Sequence, residues 1–228
     1  MGCSVLSINL GALTVGLAPT WTLTLLGVFL IGLGYGALTI GLNSLFAAGF
    51  GCLFSLGIGV EASTVGYTAT YLVDAGLTST AAAMTTSLFF IAFTLSRLLA
   101  VPLSLRFTPA QLVVASLGLG TLLLLLSHSK VMAPYTMIAV GACLGVFFPN
   151  CFNWLSRLFG ATSHTVLIIS GALLGAIIFP ALIALIVSVL GESYIVSALL
   201  GLNFLTLMLA GSLWFFYRIE MQGSPAIE

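Results

Sequence analysis

Apolar residues run almost without interruption along this chain, in stretches much longer than the alternation of a strand or the single stripe of a surface helix. Turn residues and the few charges divide them into eight segments, over 3–18, 21–46, 52–73, 79–101, 110–127, 132–158, 163–189 and 193–217. The breakers are Pro19-Thr20, Gly49 to Gly51, Asp74 to Thr80, Pro102 to Pro109, His128 to Lys130, Gly160 to Ser163 and Gly191-Glu192. A helix needs about 20 mostly apolar residues to cross a bilayer. The pattern predicts an all-α, polytopic transmembrane helix bundle with about eight spans, the first of them short.

Composition sharpens that picture. Of 228 residues, 61% are hydrophobic and 4% are charged, whereas soluble domains carry about 25% charged residues. Five basic residues balance five acidic ones, so nucleic acid is not an expected partner. The lipid bilayer is. Cys3, Cys52, Cys143 and Cys151 lack metal-type spacing and read as small fillers of helix faces.

Charge also predicts orientation, because cytoplasmic loops collect Lys and Arg. With alternating spans, Arg97, Arg106, Arg157 and Arg218 fall on one side and Lys130 on the other. Both termini are therefore expected in the cytoplasm, with 219–228 as a cytoplasmic tail.

Against this background Glu61 stands out, a carboxylate within FSLGIGVEASTVGYT. Nine residues into its segment, it is expected about 14 Å deep, near the midplane. An acid there costs roughly 2.5 to 3.5 kcal/mol on insertion scales, so it faces a bundle interior or a watery path. Two readings stand side by side: contact with a substrate or coupling ion, or a protonated side chain hydrogen-bonded to a neighbouring helix.

Other polar groups enter the helices at Thr39 and Asn43, at Ser63, Thr64, Tyr67 and Thr68, and at Asn150, Asn153 and Trp154. Amides, hydroxyls and aromatic faces together suit a hydroxyl-rich neutral ligand. Each one alone serves equally well as an interhelical hydrogen bond. The small-residue pairs Gly32/Gly36, Gly141/Gly145 and Gly171/Gly175 predict close helix packing, and Pro149 and Pro180 predict kinks. Enzyme chemistry is not expected: Asp74 is the lone aspartate, no G-x-S-x-G elbow occurs, and His128 and His164 sit at segment ends without a metal motif. No metal site and no cofactor are expected.

GVEASTVGYTATYL with AAAMTTSLFFIAFTLSRLLAVPLSLRF resembles the seventh and eighth helices of major facilitator superfamily sugar carriers, in the branch of sodium-dependent glucose transporters and fucose–proton symporters. GVFFPNCFNWLSRLFG and ISGALLGAIIFPALIALI resemble its tenth and eleventh helices, and GLGYGALTIGLNSLF its fourth. Matched in order, the eight segments correspond to the third, fourth and seventh to twelfth of twelve helices. The resemblance implies a partial major facilitator fold, with 1–50 belonging to the N-terminal half and 51–218 forming a six-helix C-terminal half.

It further implies a secondary carrier of a neutral hexose such as glucose or fucose, working by alternating access and coupled to Na+ or H+. The fourth-helix acidic position of the fucose–proton carriers falls on Thr39, and the stretch around Glu61 is closer to the glucose-type members. Implied substrate contacts are Asn43, Glu61, Tyr67, Asn150, Asn153 and Trp154, with Glu61 as the coupling candidate and Arg97 and Arg106 as a gate on the cytoplasmic loop. The plasma membrane is the implied location, with a homo-oligomer or a full-length paralogue as partner. The alternative is a truncated, non-transporting membrane protein that binds or regulates a full-length relative.

Overall fold

Thr108 opens a helix by a reciprocal pair of bonds. Its hydroxyl accepts the Gln111 N–H at 3.3 Å, while the Gln111 carbonyl oxygen accepts the Thr108 N–H at 2.9 Å. Pro109 occupies the first helical position, where a missing N–H costs nothing. Thr78 caps the preceding helix in the same way, accepting from Ala81 N–H. At the opposite ends glycine takes over: Gly76 has φ +103° and Gly191 φ +98°. Around Gly76 the Leu77 N–H reaches Leu72 O and the Gly76 N–H reaches Val73 O, the paired closure that ends a helix.

The computed structural model describes the backbone of residues 2–17, 21–159 and 163–223; the side chains at 2–5, 16, 21–22, 32, 34–45, 163–169 and 219–223 lie outside the described residues. The helices are α1 (Gly2–Leu17), α2 (Trp21–Asp74), α3 (Ser79–Leu103), α4 (Pro109–Leu126), α5 (Ala133–Phe159), α6 (Ser163–Leu190) and α7 (Ile195–Gly223), with a 3-10 turn at Glu192–Tyr194. Among the described residues six helical segments are long and apolar enough to cross a membrane: Phe46–Asp74, Ser79–Leu103, Pro109–Leu126, Ala133–Phe159, Ser170–Leu190 and Glu192–Arg218. A shorter apolar stretch covers Leu6–Val15. The chain is an all-helical, multi-pass membrane protein.

One expected boundary is absent. The helix runs through Gly49 to Gly51 without a break, and neither glycine has positive φ. A glycine inside a helix costs only about 1 kcal/mol relative to alanine, and the flanking FAAGFGCLF carries no proline or cap to stop propagation. The second and third predicted segments are therefore joined in α2.

The chain divides into two compact units, Met1–Ala48 and Gly49–Glu228. In the first, α1 lies against the start of α2: a Cβ on Gly11 would stand 2.6 Å from Gly27 O, and Ser7 donates to Leu30 O at 2.9 Å. In the second, α5 is central and packs on α3 and α4, while α4 also packs on α7. Just over half of the α5 span is buried, 56%, against 11% for that of α6. Leu173, Leu174, Ile177, Leu185 and Val189 of α6 are exposed accordingly, a lipid-type surface.

Small residues set these crossings. A Cβ on Gly141 would meet Phe89 O of α3 at 2.7 Å, and one on Gly145 would strike Phe93 O and Ser96. On α6, Gly171 faces Gly51 O and Gly175 faces Ser55 O of α2. Both pairs let backbones touch, which is how helices associate where lipid is as apolar as their side chains. Gly32 and Gly36 lie where side-chain placement is outside the described residues. Cys143 and Cys151 are buried free thiols, Cys52 is an exposed one, and the Cys3 side chain is outside the described residues.

Polar links lock one end of the second unit. Lys130 Nζ donates to Asp74 O at 3.3 Å, Tyr71 OH to Ser127 O, and His128 Nε2 shares a hydrogen with Ser197 Oγ at 3.1 Å. Deeper, Asn203 of α7 donates to Leu117 O at 3.0 Å and Thr121 Oγ1 at 2.8 Å on α4. The C-terminal ends of α3 and α5, with Arg106 and Arg157, form the opposite end.

Candidate functional site

Glu61 projects from α2 toward α3, where Arg97 Nη2 donates to its Oε1 at 3.4 Å. Both charges lie inside membrane-length helices, and the pair satisfies much of what either alone would cost. The Glu61 side chain is 20% exposed and that of Arg97 42%. Among the described residues this is the one ion pair. Glu61 Oε2 is buried and takes no hydrogen bond, and Ser63 Oγ is in the same position.

The two members of the pair stand at different heights on their helices. Arg97 stands six residues before Leu103, about 9 Å along α3, and 18 residues after Ser79, about 27 Å. On α2, Glu61 lies at the middle of the membrane-length segment Phe46–Asp74, as expected from the sequence, and Arg97 reaches inward to meet it.

Arg97 is also not a loop residue. An arginine one or two turns from a helix end commonly extends its head outward to the interface. Here the guanidinium turns inward and covers the Phe93 ring at 4.2 Å, and Phe93 stacks in turn on Phe89 with 11° between ring planes. Arg106 lies exposed in the turn after α3 and makes no ion pair among the described residues. Arg97 thus lies within α3, as its segment 79–101 implied, and Arg106 in the turn that follows.

Beside Arg97 a cleft of about 180 Å³ opens between α3 and α5, lined by Arg97, Ala100, Val101, Ser104, Pro149, Asn150 and Asn153. Asn150 is almost fully buried and donates to Val146 O at 2.8 Å. Asn153 Oδ1 accepts from Arg157 Nε at 3.3 Å. Pro149 has no N–H, so its helix is locally open on this side.

No family model, curated protein or solved structure matches the chain.

Of the residues singled out in the sequence, Arg97, Asn150 and Asn153 line one cleft, and Glu61 is joined to it through Arg97. Tyr67 and Trp154 do not join them. Tyr67 OH donates to Pro180 O at 3.1 Å and ties α2 to α6. Trp154, 3% exposed, lies edge-on to Phe50 with centroids 4.9 Å apart, and its Nε1 is buried without a partner. The Asn43 side chain lies outside the described residues.

Sequence reasoning missed Phe93, Ser104 and Arg157. Two of them carried a signal: Phe93 is four residues before Arg97 and Arg157 four after Asn153, the spacing at which helix side chains meet. Among the described residues no three His, Cys, Asp or Glu side chains cluster as a metal site would.

Proposed function

We propose that this protein is a secondary carrier of a neutral hexose such as glucose or fucose, a partial major facilitator architecture working by alternating access and coupled to Na+ or H+. The observation that carries the reading is the Glu61–Arg97 pair, held inside the membrane-length helices α2 and α3 next to a cleft with two amides. An ion pair in a bilayer helix bundle is costly to keep if it serves only packing. A paired acid and base add no net charge, and amides can both donate to and accept from sugar hydroxyls. Glu61 is the coupling group in this reading, and Asn150 and Asn153 are the sugar contacts.

The same reading has no enzymatic step. It puts Arg106, Arg157 and Arg218 on the cytoplasmic side of the plasma membrane, following the positive-inside rule. A second copy or a longer relative completes the cavity.

The test is uptake of labelled glucose and fucose into vesicles containing the wild-type chain or Glu61→Gln, with and without a Na+ or H+ gradient. Gradient-driven uptake that Glu61→Gln abolishes is the expected result. Absence of uptake of either sugar by the wild type, alone and as an oligomer, overturns the proposal.

A further inference from the structure

The hydrogen-bonding capacity left over in and beside the α3–α5 cleft is weighted toward donors. Several acceptors are already engaged, Glu61 Oε1 by Arg97, Asn153 Oδ1 by Arg157 Nε, Val146 O by Asn150 and Val101 O by Ser104, while Asn150 Oδ1 stays available, since Asn150 bonds through Nδ2. The remaining Glu61 oxygen, Oε2, is buried away from solvent. What remains otherwise is mostly donors. Arg97 uses one terminal nitrogen in its single bond to Glu61, and a guanidinium carries five N–H groups. Asn153 retains its Nδ2 hydrogens, since its Oδ1 is the atom that faces Arg157. Arg157 is itself exposed and uses Nε toward Asn153, which leaves its terminal nitrogens.

Charge points the same way. Arg97 in the lining and Arg157, bonded to the lining Asn153, carry two positive charges, and Glu61, paired with Arg97, one negative charge, so the group carries an excess of one positive charge. Arg157 lies in the last turn of α5, and Asn153 and Arg97 each stand six residues from their helix ends, about 9 Å. The donors thus climb from the membrane interface into the bundle, within reach of a phosphate at headgroup level.

We propose that Arg97, Asn153 and Arg157 form a binding site for a phosphate-type oxyanion. An acceptor-only, anionic group is the complement of a donor-rich, net positive rim, and guanidinium forks bind phosphate oxygens in pairs. The oxyanion is the phosphodiester of an anionic lipid or a free phosphate, and the two reach the site from different sides. The inference is independent of the transport reading, because occupancy is read without uptake. Where both hold, phosphate at the rim competes with hexose for Asn153.

Two probes test it on the full chain. In the first, nanodiscs of phosphatidylcholine with phosphatidylglycerol are analysed by native mass spectrometry for retained phosphatidylglycerol. In the second, equilibrium dialysis in an uncharged detergent measures labelled inorganic phosphate. Saturable binding of at least one probe is expected, weakened about tenfold or more in Arg97→Gln and in Asn153→Ala. Lipid retention alone identifies a headgroup site, and phosphate binding identifies a soluble source. Asn153→Ala removes no charge and guards against misfolding of the arginine variant, with helix content checked by circular dichroism. No binding of either probe by the wild type, or binding unchanged in Asn153→Ala, overturns the proposal.

Discussion

The guanidinium of Arg97 rests on the ring of Phe93 at 4.2 Å, one helical turn deeper than the arginine's own backbone position. That contact holds the charge inside the bundle when the nearer interface would hydrate it. A desolvated cation–π contact contributes about 2 kcal/mol and an exposed one about 0.5 to 1. Phe93→Leu is therefore expected to lower stability by about 1 kcal/mol in denaturant titrations in micelles, and Phe93→Tyr to retain most of it. Equal losses in both would show that ring volume alone matters there.

The ion pair itself lies between the surface and buried limits. Surface pairs contribute about 0 to 1 kcal/mol, whereas breaking a buried pair costs about 3 to 5. With Glu61 one-fifth exposed and Arg97 less than half, Arg97→Leu is expected to cost on the order of 1 to 3 kcal/mol by leaving the carboxylate unpaired. Adding Glu61→Gln to it should recover part of that loss, because the orphaned charge is gone. Additive losses in the double-mutant cycle would contradict the coupling.

Backbone contact at Gly145 predicts a strong response to bulk. A Cβ there would meet Phe93 O and Ser96, whereas one on Gly201 of α7 meets nothing within 4 Å. Gly145→Val should cost roughly 1 to 3 kcal/mol through forced separation of α3 and α5. Gly201→Ala should be neutral or slightly stabilising, since alanine favours helix. Comparing thermal unfolding of the two variants decides it.

Asn203 is a clamp that no motif announced. Its amide donates to two partners on α4, and interhelical hydrogen bonds in membranes average about 0.6 kcal/mol with a maximum near 1.7. Asn203→Leu should cost about 1 kcal/mol. Hydrogen exchange should rise along α4 and α7 and stay unchanged in α6. A rise in α6 would place the clamp elsewhere.

Long apolar runs and the capping residues Thr78, Pro109 and Gly191 determined that this chain is helical, where most helices begin and end, and that it belongs in a bilayer. An acid in such a run marked Glu61 as exceptional, and small-residue spacing marked Gly141/Gly145 and Gly171/Gly175 as crossing points. All of these are local properties, readable from one helix at a time.

Which helix stands beside which was decided by tertiary structure. In a soluble protein an amphipathic stripe shows the buried face, but these helices are apolar all round, so periodicity does not distinguish neighbour from lipid. Arg97 was therefore readable as a flank of the next loop, inside its segment 79–101, but not as the partner of Glu61. Trp154 looked like a ligand platform until Phe50 closed over it. Gly49 to Gly51 read as a turn because glycine is permissive, and permissive residues follow the surrounding helix when no cap or proline stops it. The sequence determined the elements and the oddity of a buried acid; the reach of Arg97 to Glu61, and the packing of α3 on α5 through backbone contact at Gly141 and Gly145, decided its partner and the cleft beside it.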